Sequence, residues 1–148
     1  MEKLTVKKAK TGLKFISECI LILLAVSFVR SILEIFLTDV KIDGVSEGLI
    51  IASKIILCVL FAIVIFIPQL YIGVKGIKIA KNPTDSKSHI VWAVIFVIFA
   101  VISTISAIVD MVNTGDIAAN IFGLIDGVID LALYLSYIIF AKRVIDAV

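Results

Sequence analysis

Leu49 to Ile72 reads LIIASKIILCVLFAIVIFIPQLYI, with Lys54 as its one charged residue. A helix on the surface of a soluble domain pairs an apolar stripe with a solvated one, and this run has no solvated side. At 1.5 Å per residue it is long enough to cross the ~30 Å hydrocarbon layer of a bilayer. Phe15 to Leu37, Ile90 to Val112 and Ile117 to Ala141 are apolar runs of the same kind. None alternates in segments of about ten residues, as membrane-spanning strands do. The expected fold is therefore an all-α, integral membrane four-helix bundle. It forms a single domain over residues 1–148, with spans at about 15–37, 49–72, 90–112 and 117–141.

Composition points the same way. Of the 148 residues, 61% are hydrophobic, and the mean hydropathy is +1.20. Soluble domains average roughly 45–50% apolar even with glycine counted. This content excludes a soluble enzyme, a nucleic-acid-binding domain, a disulfide scaffold and a disordered chain. Cys19 and Cys58 both lie inside apolar runs, where cysteine behaves as a small hydrophobe. A single histidine, His89, excludes a multi-histidine metal site, and no cofactor is expected.

The net charge of +2 conceals a segregation. Lys3, Lys7, Lys8, Lys10 and Lys14 precede the first span. Lys75, Lys78, Lys81 and Lys87 separate the second from the third, and Lys142 and Arg143 close the fourth. The opposite loops hold Lys41 among Asp39, Asp43, Glu47 and Asp116. The positive-inside rule then places both the N and C termini in the cytoplasm. Glu18 interrupts the first run, and the helical pattern continues past Ala25-Val26-Ser27, so this segment reads as an uncleaved span rather than a signal peptide. Trp92, Tyr71 and Tyr137 are expected at the inner interface as an aromatic belt, with His89 an interface residue beside them. The isoleucine- and lysine-rich usage suggests an AT-rich bacterial genome, and hence a bacterial cytoplasmic membrane.

Turn chemistry fits four spans. Thr38 to Gly48 is an acidic outer hairpin. Asn82-Pro83 stops a helix, and Ser86 or Ser88 is placed to cap the next. Gly115 suits a left-handed C-cap and Asp116 an N-cap. Pro68 is expected to kink the second helix. The following stretch, Tyr71 to Lys81, reads as an exit along the anionic inner surface, by positive-inside anchoring first and lipid binding second.

Each span carries a small or polar seam. In the fourth it runs Asp116, Asn120, Gly123, Gly127, Asp130, Tyr134, Tyr137 and Ala141, with Gly123 and Gly127 expected to pack the helix closely. The third offers Ala93, Phe96, Ala100, Ser103, Ala107, Asp110 and Thr114. The second offers Lys54, Cys58, Ala62, Ile65, Gln69, Gly73 and Gly76, and the first Ser27, Arg30, Ser31 and Glu34.

Six charges fall at membrane depth. Glu34, Lys54 and Asp110 lie within roughly 10 Å of the outer surface, Arg30 and Asp126 deeper, and Asp130 near the midplane. All six can share the outer half of one bundle interior, two cations against four carboxylates. A carboxylate at the bilayer centre costs about 2.5–3.5 kcal/mol, so protonation, a cation, water or a partner must offset the excess. Local readings compete: an Arg30–Glu34 pair, a Lys14–Glu18 pair, Lys54 snorkelling outward, and Asp110 hydrating a helix end. Asp126 and Asp130 are too short to snorkel. They are the leading ion-, proton- or partner-binding residues.

No histidine lies within the spans to activate a serine or cysteine. Metal-dependent phospholipid headgroup transferases and intramembrane aspartyl proteases use paired aspartates, but their Asp-Gly-x-x-Ala-Arg and Gly-x-Gly-Asp motifs are missing. Four short helices with Glu18 in the first resemble small multidrug transporters, although longer loops and the aspartates of the fourth span depart from that family. Two function classes follow. The first is a non-catalytic membrane component, such as an accessory subunit, an immunity or resistance protein, or a partner-binding protein. It would act as a homo-oligomer or with a membrane protein partner, without nucleic acid. The second is a small proton- or cation-coupled transporter or channel.

Overall fold

A computed structural model describes residues 5–38, 46–84, 86–115 and 117–148, with 117–120 described by their backbone alone. Four helices make up the described chain: α1 (Val6–Leu37), α2 (Glu47–Lys81), α3 (Ser88–Thr114) and α4 (Ile117–Ile145). All four are long and apolar enough to cross a membrane. They form an integral membrane four-helix bundle. Each expected span lies inside one of these helices. α1 extends further toward the N terminus than its apolar run because Thr5 caps it, its hydroxyl accepting the Lys8 N–H at 3.4 Å.

Successive helices run antiparallel, so Gly12 near the start of α1 meets the Phe140 ring near the end of α4. The lysine-rich segments therefore gather at one end of the bundle, here the basic end, and Thr38, Ser46 and Gly115 lie at the far end. Gly115 closes α3 in the left-handed conformation at φ 66°, its N–H donating to Met111 O at 3.1 Å. That turn is as the sequence predicts. The serine cap of α3 is not. Lys87 occupies the N-cap position, and Ser88 Oγ instead lies 2.6 Å from the Tyr71 hydroxyl, tying α2 to the start of α3. The Asp116 cap, residues 39–45 of the acidic hairpin and the Asn120 side chain lie outside the described residues.

α2 runs unbroken through Pro68. Just before it, Ala62–Phe66 widens into a π turn, with the Ile67 N–H donating to Ala62 O. A proline ring clashes with the carbonyl four residues back and removes a donor. The wider turn makes room for the ring, so the helix absorbs Pro68 in its register.

Among the described residues the core lies in the basic half. Leu13, Ile72, Ile79, Tyr137 and Val144 are sealed there. On α2, Glu47–Phe66 buries no residue at all. α1 has none beyond Leu24, α3 none beyond Ala100, and the first buried position among the described side chains of α4 is Gly127. Two glycines set how closely the helices approach. A Cβ on Gly76 would run into Ser17 Oγ and stand 2.6 Å from the Tyr137 ring. On Gly127 it would stand 2.5 Å from Thr104 Oγ1. Gly123 is looser, with Ala107 Cβ 3.8 Å from where a Cβ would sit. α4 therefore packs on α3 tightly at Gly127 and lightly at Gly123.

The seam of α3 drifts from its expected line. Ala93, Phe96 and Ala100 are buried as the pattern predicts, but the face continues through Thr104, Ala107 and Met111, leaving Ser103 and Asp110 exposed. A near-straight helix turns every 3.6 residues, and an alternation of three and four overruns it after several turns. Tyr137 and His89 also depart from expectation. Both are fully buried rather than set in an interfacial belt. Gly76 opens the space that Tyr137 fills, and the tyrosine hydroxyl donates to Ile72 O at 3.0 Å.

Candidate functional site

The charged residues sit where the bundle is open. Along α1, Arg30 and Glu34 are one turn apart, and Arg30 Nε lies 3.3 Å from Glu34 Oε1. The same guanidinium reaches across to α4, with Nη1 3.6 Å from Asp126 Oδ2. Arg30 thus bridges two carboxylates on two helices, a task suited to its planar fork of donors. All three side chains remain 63–65% exposed. The sequence allowed them either a shared place inside the bundle or a local pair near the interface. The structure leaves them open, since the described residues of the far half form no core around them.

Lys54 takes a different course. From α2 its ammonium donates to Thr38 O at 2.8 Å and approaches Phe36 O at 3.4 Å. The last carbonyls of a helix lack intrahelical partners and carry its negative pole, so a cation there is favourable. Lys54 is therefore a C-terminal cap supplied by a neighbouring helix. Beneath it a cavity of about 560 Å³ opens between α1 and α2, lined by Glu34, Ile35, Ile50, Ser53 and Leu57. Lys14 and Glu18 pair at 3.7 Å near the basic end, as their spacing suggests.

Asp130 lies one turn below Asp126 and lines a smaller chamber of about 220 Å³, with Ser27 and Ser31 of α1 and Gln69 of α2. Three helices thus turn polar groups toward one point near mid-bundle. On the side of the basic end, Tyr134 bounds the chamber and stacks on Phe96 at 5.3 Å between ring centroids. Phe28, 4.5 Å from Phe66, fills between α1 and α2 beside the π turn. Asp110 stays apart. Its side chain is exposed on α3 and makes no ion pair among the described residues.

The structure therefore brings Arg30, Glu34 and Asp126 together, sets Asp130 below them in a polar chamber, sends Lys54 to the end of α1, and leaves Asp110 out. Two residues were missed by sequence reasoning. Gln69 lines the chamber with Asp130, and its place in the α2 seam was the available signal. His89 is sealed at the basic end, edge-on to Tyr137 at 5.8 Å, and neither ring nitrogen has a hydrogen-bond partner among the described residues. Nothing in the sequence near it marks that burial. No group of three or more histidine, cysteine or acidic side chains among the described residues is arranged to hold a metal ion.

Comparison with protein-family models, with curated proteins and with solved structures returned no match.

Proposed function

We propose that this small integral membrane protein is a non-catalytic component of a membrane assembly, and that its far half receives a membrane-embedded partner. One observation carries the reading. Arg30, Glu34 and Asp126 form an ion-pair cluster, 63–65% exposed, on the half of the bundle whose described residues form no core. Charged side chains facing lipid are costly, and such groups usually turn toward a bundle interior or pair with one another. A second membrane segment seated against this half, whether another protein or another copy of this chain, supplies that interior. The bias of lysine and arginine supports cytoplasmic termini, and the isoleucine- and lysine-rich composition supports a bacterial cytoplasmic membrane.

Mass measurement of the 16.1 kDa chain in discs of native lipid tests the proposal. The expected result is an assembly heavier than one chain, reduced to a monomer by Arg30→Gln/Asp126→Asn. A monomer for the unaltered chain overturns it.

Proton- or cation-coupled transport is the second reading, favoured by the chamber that Asp130, Gln69, Ser27 and Ser31 share. It requires ion flux in liposomes that Asp130→Asn abolishes, since the amide keeps the shape but neither titrates nor carries charge. Absence of flux in the unaltered protein removes it.

A further inference from the structure

The last turns of α2 run beyond its apolar stretch through Lys75, Lys78 and Lys81, spaced three apart along one flank. All three line a single cavity of about 410 Å³ at the basic end. Ile79, almost fully buried, forms its floor, and Asn82 and Thr84 add polar side chains to the wall. None of the three ammonium groups makes an ion pair or hydrogen bond among the described residues. The described carboxylates that do pair, Glu18, Glu34 and Asp126, are engaged by Lys14 and Arg30.

Cations in the last turn of a helix have an ordinary explanation, since they complement its negative pole. That pole is worth about half an elementary charge, and its influence fades within a turn. It offsets a fraction of one ammonium and leaves more than two positive charges gathered around one cavity. A solvated basic face spreads its lysines outward. Here Lys75 is half-buried, and all three lysines line one concavity together with an amide and a hydroxyl side chain. Lysine ammoniums with neutral donors are the chemistry that takes a phosphate group.

We infer that this cavity is a binding site for a phosphate-bearing anion at the basic end of the bundle. The chemistry is shared by an anionic phospholipid headgroup and by free phosphate. Tyr71 and Trp92, 36% and 39% exposed, mark this level as an interface, and Val74, 39% exposed, offers an apolar wall one turn from Lys78. The site is independent of the partner-binding reading, because it lies at the opposite end of the bundle from Arg30 and Asp126.

The test uses the full chain in a neutral detergent. Native mass spectrometry counts the lipid bound on addition of phosphatidylglycerol or phosphatidylcholine, and thermal unfolding is followed with each lipid and with inorganic phosphate. The expected result is discrete binding of phosphatidylglycerol with a raised unfolding midpoint, and no effect of phosphatidylcholine. A rise with inorganic phosphate alone upholds the anion site and assigns it to soluble phosphate. Lys75→Gln/Lys78→Gln/Lys81→Gln should weaken binding by roughly fivefold for each lysine removed. The control Lys7→Gln/Lys10→Gln/Lys142→Gln removes the same charge from the same end and should bind as the unaltered chain does. If the triple variant does not fold, Lys78→Gln alone, at an exposed position, should still show the single fivefold loss. Failure of both phosphatidylglycerol and phosphate to bind overturns the inference. So does an equal loss in site and control variants, which would reduce the effect to diffuse attraction.

Discussion

Replacing Gly76 by alanine perturbs the molecule at its tightest described contact. The new methyl would collide with Ser17 Oγ from α1 and stand 2.6 Å from the Tyr137 ring from α4. Ser17 has little freedom to retreat, because its hydroxyl donates to Leu13 O at 2.7 Å in a fully buried site. Tyr137 must therefore shift, and its 3.0 Å bond to Ile72 O is lost or stretched. Overpacking of this kind costs about 1–3 kcal/mol, and the hydrogen bond about 0.5–1.5 kcal/mol more. Alanine recovers at most ~1 kcal/mol of helix propensity. The expected net loss is roughly 0.5–3.5 kcal/mol from these opposing terms. Gly123→Ala is the matched control, since its methyl would meet Ala107 Cβ at an ordinary 3.8 Å. That change should be neutral or slightly stabilising. Unfolding by titration with a denaturing detergent, followed through Trp92 fluorescence, measures both. Tyr137→Phe should also cost less in the Gly76→Ala background than alone, because the two share one contact. Equal losses at Gly76 and Gly123, or additive effects of Gly76→Ala and Tyr137→Phe, would refute the packing account.

Three further outcomes are expected. Gly127→Leu should disturb folding far more than Val128→Leu, read by the same titration, because Thr104 closes the space above Gly127 while Val128 is 50% exposed. Lys54→Met should speed hydrogen exchange at the Thr38 amide, which donates to Glu34 O at 3.0 Å in the turn that Lys54 caps. In intact cells, an impermeant thiol reagent should reach Ser46→Cys from outside and Ser86→Cys only after the inner face is exposed, with the background cysteines removed. The reverse pattern would invert the proposed orientation.

The four-helix membrane fold was legible because ~20-residue apolar runs leave a chain few alternatives. The α2 seam was legible too: Cys58, Ala62, Ile65 and Gln69 are all partly buried, and Gly73 and Gly76 fully. The Arg30–Glu34 pair followed from its spacing. What the sequence hid depends on how helices meet rather than on where they run. The reach of Arg30 to Asp126 requires knowing that α1 and α4 are neighbours, and Lys54 finds Thr38 only because α1 ends beside the first turns of α2. The alternation on α3 overruns a helix whose own period is 3.6, so Ser103 and Asp110 fall off the buried face and Asp110 stays exposed near the helix end, apart from the other charges. His89 and Tyr137 looked interfacial by position. Tyr137 is buried because Gly76 on a neighbouring helix leaves it room, and His89 packs edge-on against Tyr137, partners that no single-helix pattern reveals.

Photo-crosslinking from two equally lipid-like positions tests most directly whether the far half is a receiving surface. Leu57, on the α1–α2 cavity, is 54% exposed, and Ile139, in the basic half of α4, is 62% exposed. A photoreactive residue is placed at one or the other in the native membrane. The account predicts a discrete protein adduct from position 57, lost when Arg30→Gln/Asp126→Asn is added, and lipid adducts alone from position 139. Lipid adducts alone from both positions would contradict it.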